Sequence, residues 1–332
     1  MHGRSLALLW LGGVLVVAAL AIAGIAEGST PLALGDVART LVGRIVPGVA
    51  DGVAAPVARI VIDLRVPRVL LAIAVGAGLA VVGALLQTTT RNDLADPFLF
   101  GLSSGAAAGA ASVITVFGDR LGIWTLPIAA FAGALVAAAA VLALVTNQEG
   151  RGPERLVLAG LAVSFLFGAL TTYLVFAGDQ RAAYSVLFWS AGGLGLASWD
   201  NLPLAAAGAG VAILAGLLLR HRLDAMLAGE DTARSLGVDV GRLRLVVFAL
   251  AALSTAALVA LSGVIGFIGL MVPHIARALA GVRHGALVIT SALVGAAALL
   301  AGDLASRTLL APQELPVGIV TASAGPCSCS PC

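Results

Sequence analysis

Val69-Leu-Leu-Ala-Ile-Ala-Val-Gly-Ala-Gly-Leu-Ala-Val-Val-Gly-Ala-Leu-Leu-Gln-Thr-Thr-Thr90 runs without a single charged side chain. At a rise of about 1.5 Å per residue it forms a helix of roughly 33 Å, and a bilayer crossing needs about 20 such apolar residues. Working outward, the pattern repeats. Uncharged runs cover residues 5–26, 97–118, 121–148, 156–178, 201–219, 245–276 and 284–302. With 60% hydrophobic residues, a mean hydropathy of +1.06 and only 19 basic and 17 acidic side chains in 332 residues, the chain is an all-α polytopic membrane protein.

The 245–276 run is too long for one upright helix. Ser262, Gly263, Gly266 and Pro273 punctuate it, which predicts two spans joined by a tight turn, the second ending near Leu279. Residues 182–199 are also uncharged, but Tyr184, Trp189, Trp199 and the Gly192, Gly193, Gly195 cluster predict a short helix on the membrane surface. Residues 1–26 read as a retained first helix, because the apolar run is about twice the length of a signal-peptide core. The expectation is nine good spans. A tenth begins near Glu314 and dissolves into the proline-broken, cysteine-bearing tail 323–332, too polar to finish a crossing. Cys327, Cys329 and Cys332 all lie there, which excludes a disulfide framework through the body of the fold.

All 19 basic residues are arginines. With the N-terminus inside, Arg4, Arg91, Arg151, Arg155, Arg220, Arg222, Arg234, Arg242, Arg244, Arg277 and Arg283 fall on the cytoplasmic side. Arg39, Arg44, Arg59, Arg65, Arg68, Arg120, Arg181 and Arg307 fall outside. The net charge of +2 and the absence of like-charge runs give no nucleic-acid footprint. No Asp, Glu, Lys or Arg sits centrally in any predicted span, so an ion-coupled carrier or proton relay lacks its usual equipment. Energy for transport is therefore expected to enter through a loop.

The 220–244 loop offers the place. Leu223, Met226 and Leu227 fall at helical spacing, Gly229 breaks that helix, and Glu230 and Asp231 open a second one that Gly237 ends. Glu230, Asp231 and Arg234 can pair at i,i+3 and i,i+4, while Ala233 and Leu236 form a small apolar knob. By composition alone this is a solvated helical hairpin; read functionally, it is a knob that docks into a soluble partner. His274 and Arg277 stand one turn apart near a helix end, where a lone histidine is ordinarily structural. Asn92, Asp93, Asp96 and Pro97 read as a turn and helix start satisfying its own amides. Gln87, Ser103, Ser104, Thr171 and Thr172 can face a pathway or bond their own helices.

Gly229-Glu-Asp-Thr-Ala-Arg-Ser-Leu-Gly-Val238 followed by Gly263-Val-Ile-Gly-Phe-Ile-Gly-Leu-Met-Val-Pro-His-Ile-Ala-Arg277 resembles the signature of FecCD-type permeases, the membrane subunits of binding-protein-dependent ABC importers for iron-siderophores, haem and cobalamin. Leu64-Arg-Val-Pro-Arg68, Gly83-Ala-Leu-Leu-Gln87, Arg91-Asn-Asp-Leu-Ala-Asp-Pro97, Gly101-Leu-Ser-Ser-Gly105 and Glu314-Leu-Pro-Val-Gly-Ile-Val-Thr321 extend the resemblance, in family order, over roughly residues 5–322. It implies a ten-helix permease domain, residues 1–322, in the bacterial plasma (inner) membrane, with both ends cytoplasmic and a second permease copy or paralogue enclosing the pathway.

It further implies that Glu230, Asp231, Ala233, Arg234, Ser235, Leu236 and Gly237 are the coupling segment that meets an ATP-binding ABC subunit. Arg65, Arg68 and Arg307 are implied to dock a periplasmic or lipid-anchored substrate-binding protein by pairing with its carboxylates. ATP hydrolysis belongs to the partner; the chain has no GxxxxGK[ST] phosphate loop and is expected to act without catalytic residues, metal or cofactor. An iron(III)-siderophore is the favoured cargo, with haem and cobalamin as alternatives. A self-contained secondary carrier or channel, or a membrane scaffold, is the rival from another class. Family members usually complete the tenth helix after Ala322 with apolar residues. The departure here reads as a truncated or frame-shifted end.

Overall fold

The computed structural model describes residues 3–28, 32–44, 46, 52–118, 122–146 and 153–328. Arg120, Arg151, Cys329 and Cys332 lie outside the described residues. In chain order the helices are α1 (Gly3–Ala26), α2 (Leu34–Gly43), α3 (Ala55–Arg59), α4 (Val66–Thr90), α5 (Leu102–Ser112), α6 (Thr125–Thr146), α7 (Pro153–Ala177), α8 (Gln180–Ser190), α9 (Leu202–Leu218), α10 (Arg220–Leu227), α11 (Glu230–Ser235), α12 (Val240–Ser262), α13 (Ile268–Ala280), α14 (His284–Thr308) and α15 (Val317–Ser328).

Six described helices are long and apolar enough to cross a bilayer, and a seventh if α9 and α10, bent by 62°, count as one. That falls short of nine full spans for a physical reason. In the 97–118 run Gly101, at φ +78°, ends a 3₁₀ turn (Pro97–Phe100), and the helix that follows, α5 continued by a π turn (Val113–Phe117), holds only residues Leu102–Phe117. After Ser262 the chain leaves helical geometry at Gly263 and Phe267, both at positive φ, so α13 holds 13 residues and reaches only about 20 Å. The sequence pattern of two elements around a break is there, but the second is too short to cross upright. Among the described residues the last helix runs from Val317 through Ser328 and includes Pro326, past the 322 boundary read from composition.

Most of the described residues between 27 and 68, a region outside the uncharged runs, are helical. Ala55–Thr90 is one continuous element of 36 residues, with a π turn (Ile60–Arg65) between α3 and α4. The wider turn precedes Pro67, which has no amide hydrogen to give to the preceding turn.

α4 is the central rod. Nearly every residue from Leu71 to Thr90 is buried, and α9, α12, α13 and α14 surround it. The rod can be so enclosed because small residues face each other at the crossings, where backbones touch without an intervening side chain. A methyl group at Gly76 would lie 2.8 Å from the carbonyl carbon of Gly295. One at Gly83 would lie 2.6 Å from the carbonyl carbon of Gly269 and 2.8 Å from its Cα. In a second layer α5 and α6 pack against α12 and α7 packs on α5 and α6, while α1 lies outside α14. Residues 182–199, expected to hold a short helix, contain most of α8, which begins at Gln180 and is started by Asp179, whose Oδ1 accepts from the Ala182 amide at 2.7 Å.

Candidate functional site

The two ends of α4 carry two polar clusters, about 37 Å apart by helix length.

At its C-terminal end stands the hairpin of α10 and α11. Gly229 at φ +105° and Gly237 at φ +81° bracket α11, conformations that a side chain would strain. Glu230 faces inward, its Oε1 2.8 Å from Arg244 Nη2 on α12. Arg244 is itself buried and donates through Nε to the Thr89 carbonyl of α4 at 2.9 Å. One charged pair thus ties α11 to α12 and to the end of the central rod. The same Glu230 also meets Arg234 at 3.1 Å, and Arg234 meets Asp231 at 2.9 Å, the i,i+4 and i,i+3 pairs expected from the spacing.

The apolar knob divides, however. Ala233 is fully buried and belongs to the cluster of Leu223, Met226, Val240 and Leu243, whereas Leu236 is 67% exposed. The two residues are three apart, but Leu236 is already the C-cap of a helix of six residues and turns outward where Ala233 turns in. The outward surface is Asp231, Arg234 and Leu236; Ser235 bonds back to Asp231 O at 2.9 Å.

α10 is anchored separately. Asp224 Oδ1 accepts from the His284 backbone amide at 2.8 Å and lies 2.7 Å from His284 Nδ1, so a side chain of α10 caps the first turn of α14. His284 is fully buried, and its Nε2 lies 2.9 Å from Thr88 Oγ1 on α4. None of Asp224, His284, Thr88 or Arg244 stands out as a site in the sequence. Their acids and bases are 14 to 196 positions apart from their partners, and only the fold pairs them.

At the N-terminal end of α4, Arg65, Arg68 and Arg307 do converge, around the fully buried Asp303. Arg65 Nη1 donates to the carbonyls of Ile25 and Ala26 at 2.7 and 2.6 Å. Arg307 Nη1 donates to Glu27 O at 2.9 Å. Two arginines therefore satisfy the open carbonyls that end α1. Arg307 Nη2 is 2.9 Å from Asp303 Oδ2 as an ion pair set off the line of a hydrogen bond. Arg68 Nε donates to Asp303 Oδ1 at 2.9 Å, and Arg68 Nη1 to Glu314 Oε2 at 2.8 Å. Arg65 and Arg307 are buried, so the part of the cluster that meets solvent is Arg68, with a side chain 17% exposed, and Glu314, 40% exposed. No spacing or charge pattern in the sequence links Asp303 or Glu314 to Arg68.

The 92–97 turn is self-satisfied as expected: Asn92 Oδ1 accepts from the Leu94 amide at 2.9 Å, and Asp96 Oδ1 from the Phe98 amide at 2.8 Å. Burial pushes the Asp96 carboxyl up to about 6, against the opposing pull of the Phe98 amide. Arg277 lies 3.5 Å from Asp93 as an ion pair, while His274 is exposed.

Residues 14–327 match the family model described as the FecCD transport family. The hemin transport system permease protein of Yersinia pestis is 40% identical over 268 residues, 80% of this chain and 80% of that protein. The cobalamin import system permease protein of Halobacterium salinarum is 41% identical over 270 residues, 80% of this chain and 71% of that one. A solved structure described as an inward-facing conformation of a metal-chelate type ABC transporter superposes with a TM-score of 0.81 at 29% identity, covering 96% of each chain. With a match over almost its whole length and an all-helical, multi-pass bundle, the chain belongs to the FecCD transport family.

Proposed function

We propose that this chain is the transmembrane permease subunit of a binding-protein-dependent ABC importer that moves an iron(III)-siderophore by alternating access. Haem and cobalamin are the other cargoes that the names of its relatives suggest. The observation that carries the reading is the build of α11: an outward surface of Asp231, Arg234 and Leu236, propped from behind by the Glu230–Arg244–Thr89 chain that ends on the central rod. A push on that surface is passed to α12 and α4 through short charge-assisted bonds rather than being absorbed by a flexible loop. ATP hydrolysis on a partner subunit would supply the push, with the segment from Glu230 to Gly237 as the coupling helix.

The opposite cluster is the proposed platform for a substrate-binding protein. Arg68 makes the contact; Arg65 and Arg307 hold the surface from below. A second permease copy encloses the pathway, and the hairpin end, with the N-terminus, faces the cytoplasm of a bacterial inner membrane.

The test is uptake into proteoliposomes that contain the permease, its ATPase and its binding protein, with ferric siderophore, haem and cobalamin offered in turn. ATP-dependent accumulation of one of them is expected. Accumulation driven by a sodium or proton gradient with no ATPase subunit present refutes the reading.

A further inference from the structure

Arg68 holds two carboxylates that differ in kind. Asp303 is fully buried, also faces Arg307, and cannot leave without stranding charge inside the bundle. Glu314 is 40% exposed, pairs with nothing but Arg68 among the described ion pairs, and can return to water at little cost. Only the Glu314 position on Arg68 is therefore exchangeable, and what exchanges most easily for one carboxylate on a guanidinium is another carboxylate, because the paired geometry is conserved.

Glu314 is also placed to report such an exchange. It lies between α14 and α15. The next residue, Leu315, donates its amide to Ser306 O of α14 at 2.9 Å, and α15 begins at Val317, which is buried. The Glu314–Arg68 pair and the Leu315–Ser306 bond together fasten the entry of α15 to the end of α14 and the start of α4.

We propose that Glu314 is an intrachain stand-in for an acidic side chain of the docking partner: it fills the solvent-facing side of Arg68 in the free permease and is displaced when a partner carboxylate takes that position, loosening the lead into α15. This rests on the docking role proposed above. Two consequences follow from the displacement. Docking is weakened by the strength of the pair that must be broken, which for a half-exposed ion pair lies within about tenfold in affinity. Surfaces that lack a well-placed carboxylate gain nothing at Arg68, so the stand-in discriminates against them.

The experiment measures binding of the cognate substrate-binding protein to the full permease complex in nanodiscs, for wild type, Glu314→Gln and Arg68→Gln. Glu314→Gln is expected to tighten docking by about three- to tenfold, and Arg68→Gln to weaken it. Hydrogen exchange at the Leu315 amide in the unmodified complex gives a second reading that does not depend on any variant folding: exchange is expected to rise when the binding protein is added. If Arg68→Gln leaves docking unchanged, the docking role itself fails. If Arg68→Gln weakens docking while Glu314→Gln leaves it unchanged or weaker, or if Leu315 exchange does not rise, docking at Arg68 stands and the stand-in is overturned.

Discussion

Replacing Gly83 by alanine puts one methyl group where α4 and α13 already touch. The added carbon would overlap the Gly269 carbonyl oxygen, with the carbonyl carbon at 2.6 Å and Cα at 2.8 Å. Comfortable carbon contacts begin near 3.5 Å, so one backbone must retreat by about 1 Å. No flexible side chain is present to give way, and overpacking of this kind costs about 3 kcal/mol, at the upper end of the usual range. Alanine returns up to about 1 kcal/mol through its better helix propensity, which leaves a net loss of roughly 2 kcal/mol. Gly210 on α9 is the matched control: nothing lies within 4 Å of its missing methyl, so Gly210→Ala keeps the propensity gain alone. Thermal unfolding in detergent, followed by tryptophan fluorescence, is expected to place Gly83→Ala below wild type and Gly210→Ala level with it or above. If both variants move the same way, or Gly83→Ala unfolds with the wild type, close backbone packing is not what holds α13 on the rod.

Leu236→Asp is expected to leave the unfolding midpoint unchanged, because the side chain is mostly in water, while abolishing co-purification of the ATPase subunit; Ala233→Asp, which buries a charge, should destroy the fold instead. Retained co-purification in Leu236→Asp would remove that residue from the coupling surface. His284→Ala removes the ring contacts to Asp224 and Thr88, which link α10 to α4, but keeps the Asp224 bond to the residue 284 amide; it is expected to cost about 2 kcal/mol in a denaturant titration, with Asp224→Asn milder because it keeps an acceptor for that amide; equal stability of all three proteins would contradict a role for the buried ring. The raised Asp96 carboxyl predicts that the folded state binds the proton more tightly than the unfolded chain. Stability is then full below about pH 4 and falls, by about 3 kcal/mol at most, as the pH rises to about 6. Asp96→Asn, which can still accept from Phe98, should flatten that slope; a flat wild-type profile between pH 4 and 7 speaks against the burial argument.

Hydropathy and punctuation made the helices legible, and the motif order made the family legible. The hairpin at 220–244 was legible too, since Gly229 and Gly237 mark its joints and Glu230, Asp231 and Arg234 announce their pairing within one short segment. Helix lengths were less so. Uncharged residues 97–118 look like one span, but Gly101 at positive φ divides them, and charge counts do not register a backbone dihedral. The starting point of α4 was hidden for the opposite reason: Asp63, Arg65 and Arg68 interrupt the uncharged run, whereas the fold carries them on a continuous helix, with Arg65 bonded to carbonyls and Arg68 paired with Asp303. Site partners far apart in sequence, Asp303 for Arg68 and His284 for Thr88, could not be read at all, because no periodicity links residues that meet only after the bundle closes.

The arginine caps on α1 bear on how the chain is made. The Glu27 carbonyl waits for a guanidinium 280 positions downstream. At about 5–20 residues per second, that is roughly 15 to 60 s of synthesis. Through that interval α1 lacks one of the donors that finish it, and only the nearer Arg65 arrives early to hold it. Biogenesis of this bundle therefore closes like a clasp, with α1 sealed by a side chain of α14.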